Sequence, residues 1–202
     1  MRTRLALALL AALALAAGVA ACGGGSGAAQ PSPEQGFLRS MVPHHTSAVQ
    51  MAELAATEAR TPFVRTLAAE IRASQEREIA QMRQIHQRLF GTALEPDMGG
   101  HMALGLSAEQ AGMDHMDGEM MIRGKRPFDR AFVDEMVPHH RGATRMAEAV
   151  LARTRDSELR TLAQEIISAQ KREIGEMNAF REREYGGPVP MAAGASPGHA
   201  GL

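Results

Sequence analysis

The sequence is poor in aromatic side chains and in cysteine. Its 202 residues include no Trp, one Tyr, six Phe and one Cys. A single Cys excludes an internal disulfide framework and a zinc site built from several thiolates. The formal net charge of -1 gives no basic balance of the kind that nucleic-acid binding needs. No phosphate-binding loop, serine-nucleophile elbow or glycine-rich dinucleotide motif is present, so no catalytic class is indicated.

Methionine and histidine are abundant instead. The chain holds 14 Met and eight His. The methionine side chain is flexible and polarizable, and histidine is the commonest metal ligand in proteins. This excess indicates either an unusual core or a site for a soft metal, and the positions of the residues decide between the two.

The first residues have the pattern of an export signal. Arg2 and Arg4 precede an uncharged apolar stretch over residues 5–17, which is shorter than the roughly 20 residues of a membrane span. Residues 19–22 read Val-Ala-Ala-Cys before a glycine-rich run, which resembles a bacterial lipoprotein signal with Cys22 as the lipidated residue. We expect a signal peptide over 1–21, a flexible tether over 22–33 and lipid anchoring to the outer face of the cytoplasmic membrane or another envelope membrane. The alternative is an ordinary signal peptide with an incidental Cys.

An internal repeat determines the expected architecture. Residues 37–45 and 132–140 both read Phe-x-x-x-Met-Val-Pro-His-His, and the match continues without a gap through about fifty residues. Each copy has the pattern of two helices, and no stretch alternates like a strand. The sequence therefore predicts an all-α, ferritin-like antiparallel four-helix bundle formed by two hairpins, over residues 34–90 and 127–185.

Local signals mark where these helices begin and end. Ser32, Thr61 and Asp156 are typical helix N-caps, and Gly91 and Gly186 are typical C-terminal stops. Proline at positions 43 and 138 of the first helix in each copy predicts a kink or a restart there. Residues 91–126 form a long linker, and we expect residues 186–202 to be a disordered tail.

The apolar face of the first helix in each copy includes a histidine. Positions 37, 41, 44, 48, 51 and 55 step alternately by four and three, which keeps them on one face. His44 lies on this face and His139 is its counterpart, while His45 and His140 lie at the edge. A buried Glu needs a partner, either an imidazole or a metal. The same spacing turns a Gln and a Glu inward on each of the other two helices: Gln75, Glu78, Gln170 and Glu173.

Two interpretations of this face remain open. A methionine stripe and a lone buried His most often belong to core packing, and a Glu–His pair can hold helices in register. All these residue types occur together at matched positions of both copies, which favours a metal site. Gln75 and Gln170 would support the ligands by hydrogen bonding. The candidate ligands are Met41, His44, His45, Met51, Glu78, Met82, Met136, His139, His140, Met146, Glu173 and Met177.

The types of ligand favour copper. Thioether sulfur prefers Cu(I), and imidazole suits copper, zinc and iron. Di-iron bundles use Glu-x-x-His on two helices, whereas Gln81 and Glu176 stand three residues after the inward glutamates. Copper, and Cu(I) in particular, is therefore favoured over iron or zinc.

The linker is a second candidate metal site, of a flexible kind. Its thioethers need no deprotonation and could bind a soft ion in acidic surroundings. The alternative is a lid whose methionines cover the bundle. The candidate ligands here are Met98, His101, Met102, Met113, His115, Met116, Met120 and Met121.

The combined motif resembles a known bacterial family. Met-Val-Pro-His-His, then Ala-x-x-Met, then Leu-Ala-x-x-Ile-x-x-x-Gln-x-x-Glu-Ile-x-x-Met is similar to the family called domain of unknown function 305, in two copies over about residues 34–90 and 128–184. The resemblance implies a ferritin-like bundle and a role in copper binding and tolerance in the cell envelope. It also implies that the Met, His and Glu residues of the motif are the ligands.

We therefore expect an envelope protein that binds copper for buffering, tolerance or delivery to a copper-handling partner. No catalytic step is implied. Two alternatives belong to other classes, namely a ferritin-like di-iron or copper oxidase and a metal-free helical interaction module.

Overall fold

A computed structural model describes residues 30–190, and the regular secondary structure of this part of the chain is helical, without strands. The long helices are α1 (Pro33–Glu58), α2 (Pro62–Phe90), α5 (Phe128–Leu151) and α6 (Ser157–Tyr185), and the short helices α3 (Ala108–Ala111) and α4 (Gly118–Ile122) lie between them. None of the described helices is both long and apolar enough to cross a bilayer. The expected signal peptide, Cys22 and residues 191–202 of the tail lie outside the described residues.

The long helices begin and end at the residues that the sequence indicates. The side chains of Ser32, Thr61 and Asp156 each accept a backbone N–H from the first turn of the helix that follows. Gly91 and Gly186 close α2 and α6 in the left-handed conformation, with φ of 69° and 78°. Glycine adopts this conformation without the steric cost that a Cβ atom brings.

The prediction of a restart at the internal prolines is wrong. Helices α1 and α5 run continuously through Pro43 and Pro138. A proline has no N–H, so it leaves the carbonyl four residues earlier without its helical donor. In α1 that carbonyl belongs to Arg39, and it accepts the backbone N–H of Asp97 at 2.9 Å. The linker thus supplies the hydrogen bond that the proline removes.

The core is divided into two apolar clusters. Helix α1 packs along α2, α5 packs along α6, and α1 also contacts α5. One cluster contains the second half of α1, the first halves of α2 and α5 and the end of α6, and the other contains the remaining halves. Between the clusters each long helix contributes buried or nearly buried polar side chains. We call this set the polar layer: His44, His45, Gln75, Glu78, His139, His140, Gln170 and Glu173.

The linker, residues 91–126, folds against α1 and α5. Ser107 and Gln110 form a reciprocal capping box that starts α3. Close glycine contacts then bring the linker backbone against α5. A methyl group added at Gly142 of α5 would lie 2.5 Å from the Cα atom of Gly112. The backbone of the linker therefore lies directly on the middle of α5.

Two Gly→Ala substitutions, one at this contact and one away from it, test the docking of the linker. We expect Gly142→Ala to lower the free energy of unfolding by about 1–3 kcal/mol, because the new methyl group meets backbone atoms that cannot rotate away. Gly175→Ala in α6 has no neighbouring atom within 4 Å and should raise stability by about 0.5–1 kcal/mol through helix propensity. Urea denaturation of both variants measures the difference. Equal shifts of the same sign would contradict the described docking of the linker.

Candidate metal centre

Two fully buried imidazoles face each other at the centre of the polar layer. The ring centroids of His44 and His139 are 3.8 Å apart, with the ring planes inclined by 39°. Both side chains are completely buried. Within residues 30–190, neither nitrogen of either ring has a hydrogen-bond partner. We call His44 and His139 the histidine pair.

The neighbouring histidines have carboxylate partners. His45 Nε2 lies 2.6 Å from Glu78 Oε2, and His140 Nε2 lies 2.7 Å from Glu173 Oε2. The sequence places His45 and His140 at the edge of the apolar face, but both are fully buried. Each inward Glu therefore meets an imidazole, which satisfies part of the carboxylate's need for hydrogen bonds. The two histidines of each His-His motif thus have different surroundings.

Several buried polar atoms of the polar layer have no hydrogen-bond partner among the described residues. Gln75 has no partner for either amide atom, and Gln170 Oε1 also has none, among the described residues. The same holds for Nδ1 of His45 and Nδ1 of His140. A buried polar atom without a partner costs about 1–3 kcal/mol, and this layer collects several of them in one place. Such a concentration indicates a site that accommodates a bound ion or water.

The six predicted methionine ligands of the helices are fully buried on both sides of the polar layer. Each apolar cluster contains three of them, and the repeat counterpart of each methionine lies in the other cluster. Met41 and Met136 stand one helical turn before the histidine pair. The sulfur of Met146 lies 3.7 Å from Ser40 Oγ, whose hydroxyl donates to it. The six residues are Met41, Met51, Met82, Met136, Met146 and Met177.

Burial keeps the histidine pair neutral. Loss of hydration lowers the pKa of His44 well below its ordinary value, and the charges that His45 and His140 would carry lower it further. The pKa of His139 is lowered well below its ordinary value by the same loss of hydration, then by His44 and His140. A neutral imidazole keeps a lone pair, which is the form that binds a metal ion.

The described residues hold no group of three or more His, Cys, Asp or Glu side chains arranged around a common metal position. The histidine pair offers imidazole nitrogen, and the six buried methionines offer thioether sulfur in the apolar clusters on either side of the polar layer. This donor set suits a soft monovalent ion.

The eight linker candidates do not come together at one site. Four of the linker methionines are 48–69% exposed. The turn that carries Met102 packs on Gly36, and the helix α4 that carries Met120 packs on Met51. These two points are about 22 Å apart along α1, at 1.5 Å per residue. The exposed methionines are Met98, Met102, Met120 and Met121.

The other linker candidates are partly or largely buried. His101 Nδ1 lies 2.8 Å from the Leu106 carbonyl, so its ring closes the local turn. Met113 is buried in an apolar cluster against which Met116 packs. His115 Nδ1 lies 2.7 Å from Glu135 Oε1. That hydrogen bond, together with the charges of Glu135 and Asp114, raises the pKa of His115 despite its partial burial.

Two features of the site escape the sequence analysis. Glu135 stands at the position that Ser40 holds in the first copy. This difference between the copies is the one sequence feature that could have pointed to Glu135. Gly112 lies against His44 of the histidine pair, since a methyl group placed on it would lie 3.2 Å from His44 Nε2. No local pattern indicates this second contact, because it depends on how the linker folds back.

The comparison with protein families confirms the family that the motif resembles. A model of the family described as Domain of unknown function (DUF305) matches residues 34–181. Among curated proteins, the uncharacterized protein L153 of Acanthamoeba polyphaga mimivirus is 39% identical over 52 residues, which is 26% of this chain. The match covers 34% of the length of that viral protein.

The fold is similar to that of solved copper-bound structures. CopM in its Cu(I)-bound form is 31% identical, with a TM-score of 0.63, over 76% of this chain and 98% of that chain. CopM is also solved in Cu(II)-bound and Ag-bound forms, which match with 30% and 32% identity and TM-scores of 0.61 and 0.62. A DUF305 fragment from Deinococcus radiodurans, 24% identical with a TM-score of 0.60, shares the fold over 76% of this chain and 98% of its own.

The depressed pKa values of the histidine pair give a prediction for the metal-free protein. We expect its free energy of unfolding to fall as the pH drops below about 6.5, the ordinary pKa of histidine. In that range the unfolded chain takes up protons that buried His44 and His139 do not, so acid favours unfolding. Each residue contributes a slope of about 1.4 kcal/mol per pH unit until its own lowered pKa is reached.

Urea denaturation between about pH 7.5 and pH 5 measures this dependence, and a double variant is its control. His44→Leu/His139→Leu removes both groups, so its stability should change less with pH than that of the unmodified chain. Parallel pH profiles for the two proteins would show that the histidine pair does not carry the effect.

Proposed function

The chain belongs to the DUF305 family, and we propose that it binds copper in the cell envelope, to buffer the ion or to pass it to another protein. One observation carries this proposal. The histidine pair is fully buried, neutral and without hydrogen-bond partners among the described residues. An ion coordinated by the free nitrogens would remove the cost of burying them.

Cu(I) is the favoured ion. Neutral imidazole and thioether are ligands that a soft monovalent ion accepts, and three methionines lie in the apolar cluster on each side of the layer. The similarity to CopM, a protein solved in Cu(I)-, Cu(II)- and Ag-bound forms, supports copper as the ion. Binding in a dry core also agrees with a soft, weakly hydrated ion better than with Zn²⁺ or iron.

A di-iron oxidase is less well supported. Such centres take carboxylates from all four helices. Here the polar layer offers one carboxylate from α2 and one from α6, and each already lies within hydrogen-bond distance of an imidazole. Binding and transfer of the ion, without a catalytic step, is therefore the function that we propose.

We propose a ferritin-like four-helix bundle as the functional unit, with one hairpin from residues 34–90 and the other from residues 127–185. The repeat places equivalent His, Glu, Gln and Met residues on equivalent helices, so the pair His44 and His139 lies near the pseudo-twofold axis of such a bundle. A site on this axis takes one strong ligand from each copy, which explains why both copies retain the motif.

The amino-terminal pattern supports a proposal for the location. Lipidation of Cys22 after cleavage of residues 1–21 would hold the protein at an envelope membrane, with residues 22–33 as the tether. An anchored copper binder would meet copper-handling partners in the same compartment. Residues 1–29 lie outside the described part of the chain, so this proposal depends on the sequence pattern alone.

Anaerobic titration with Cu(I) against a competing chelator tests the function. We expect tight binding by the purified protein. His44→Leu/His139→Leu should lower the affinity at least about 100-fold, which is the upper end of the loss seen when a ligand loses only its hydrogen-bond partner. Because the two substitutions remove unpartnered polar atoms from the core, the metal-free variant should unfold at a higher urea concentration than the unmodified protein.

A second variant separates the polar layer from the linker. Replacing the four exposed linker methionines by Ala should leave the tightly bound ion in place, since these side chains lie on the surface. If this variant loses the tight site while the histidine variant keeps it, the ligand assignment is wrong. If the unmodified protein fails to take Cu(I) from the chelator, the proposed function is wrong.

Cell fractionation tests the location separately. We expect the unmodified protein in the membrane fraction and Cys22→Ser in the soluble envelope fraction, because the substitution removes the thiol that lipidation needs. A Ser26→Ala variant in the same glycine-rich segment is the control and should stay with the membrane. Equal membrane association of Cys22→Ser would rule out the lipoprotein proposal.

A further inference from the structure

The histidine pair has no direct access to solvent. Both side chains are fully buried, and the linker lies against the His44 ring and the His139 backbone. A methyl group at Gly112 would lie 3.2 Å from His44 Nε2 and 3.3 Å from the His139 carbonyl oxygen. An ion that reaches the pair from that side must therefore pass this part of the linker.

A partly exposed imidazole follows Gly112 closely in the chain. His115 keeps 28% of its side chain exposed, and its hydrogen bond to Glu135 holds it against α5, one helical turn before His139. The linker is held at this point by Ser47 of α1, whose hydroxyl donates to the Met116 carbonyl at 2.8 Å. Ser47 is one turn after His44 on the same helix. His115 therefore lies on the part of the linker that is held next to the histidine pair, with part of its ring in solvent.

The orientation of His115 suits metal binding. Its Nδ1 lies 2.7 Å from Glu135 Oε1, so Nδ1 carries the hydrogen that the carboxylate accepts. The other nitrogen, Nε2, is 3.8 Å from Asp114 Oδ1, which is beyond hydrogen-bond distance. A carboxylate on one imidazole nitrogen fixes the tautomer and makes the other nitrogen a better metal ligand. Thioethers stand two residues before His115 and one residue after it, at Met113 and Met116.

We propose that His115 is the entry ligand of the buried site: it takes the soft monovalent ion from solvent through Nε2 and hands it to His44 and His139, and Glu135 positions it. This inference rests on the proposed function and names the route to the same site. The transfer exchanges one nitrogen ligand for another, so the charge of the ion does not change. No oxidant or reductant is needed.

The repeat indicates that the entrance is on one side only. In the first copy the position of Glu135 is held by Ser40, which is fully buried and bonds to the Gly36 carbonyl and to Met146. Ser40 offers no carboxylate that could orient an imidazole. The route through His115 therefore has no equivalent at the matched position of the first copy.

A comparison of rates with affinity tests this role. Ag⁺, a redox-inert probe, is presented to the metal-free full-length protein from a chromogenic chelator, and the transfer is followed in both directions by stopped flow. His115→Ala should slow both loading and release about tenfold while the dissociation constant changes less than about threefold. Glu135→Gln should slow both steps by a smaller factor, about threefold, because it loosens the orientation of His115.

Glu109→Gln is the matched control. It changes an exposed residue of the same linker, in helix α3, and its rates should stay within about twofold of those of the unmodified chain. Circular dichroism and urea denaturation verify that each variant is folded. An unfolded His115→Ala would be replaced by His115→Asn, for which the same slowing is expected.

The outcomes separate this inference from the proposed function. If Ag⁺ binds tightly and His115→Ala loads at the unmodified rate, the entry role is wrong and the buried site remains. If release accelerates and the affinity falls by the same factor, His115 is a ligand of the final site, which also contradicts an entry role. If the unmodified protein takes up no Ag⁺, both proposals are wrong.

Discussion

The structure depends on one unusual constraint, the burial of imidazole and amide groups that have too few hydrogen-bond partners. The polar layer interrupts an otherwise apolar core, and it divides the core into two clusters of similar composition. In ordinary cores such groups are paired or absent, because each unpaired atom lowers stability. Here two imidazoles are paired with glutamates, and the central two face each other with all four ring nitrogens free in the described part of the chain. Keeping this arrangement in both copies lowers the stability of the fold.

The same constraint explains how the layer is built. A glutamate that lies 3% exposed, such as Glu173, needs a strong partner, and His140 supplies one. The second histidine of each motif is therefore the hydrogen-bond partner of the inward glutamate on the neighbouring helix, and the first histidine is left without a partner. Methionine completes the surroundings, since its flexible side chain fills the core on both sides without adding hydrogen-bonding groups. Most of the Met and His residues of the sequence lie in this layer, in the apolar clusters beside it or in the linker.

Much of this could be predicted from the sequence, because the signals are local. Helix ends at Thr61 and Gly91 follow from capping chemistry, and the inward positions of His44 and Glu78 follow from helical periodicity. The repeat then places the second copy. Long-range contacts could not be predicted in this way. Helix α1 continues through Pro43 because a linker amide meets the freed carbonyl, and the approach of Gly112 to His44 depends on the path of the whole linker.

The central claim is that the nitrogens of His44 and His139 hold the ion. Long-range proton–nitrogen NMR spectra of the histidine rings, recorded with and without one equivalent of Ag⁺, observe these atoms directly. The account predicts that ring nitrogens of both residues shift on binding, while Nε2 of His45 and Nε2 of His140 keep the signature of hydrogen bonding to a carboxylate. Unchanged nitrogen shifts at His44 and His139, together with shifts confined to the methyl groups of the exposed linker methionines, would contradict it.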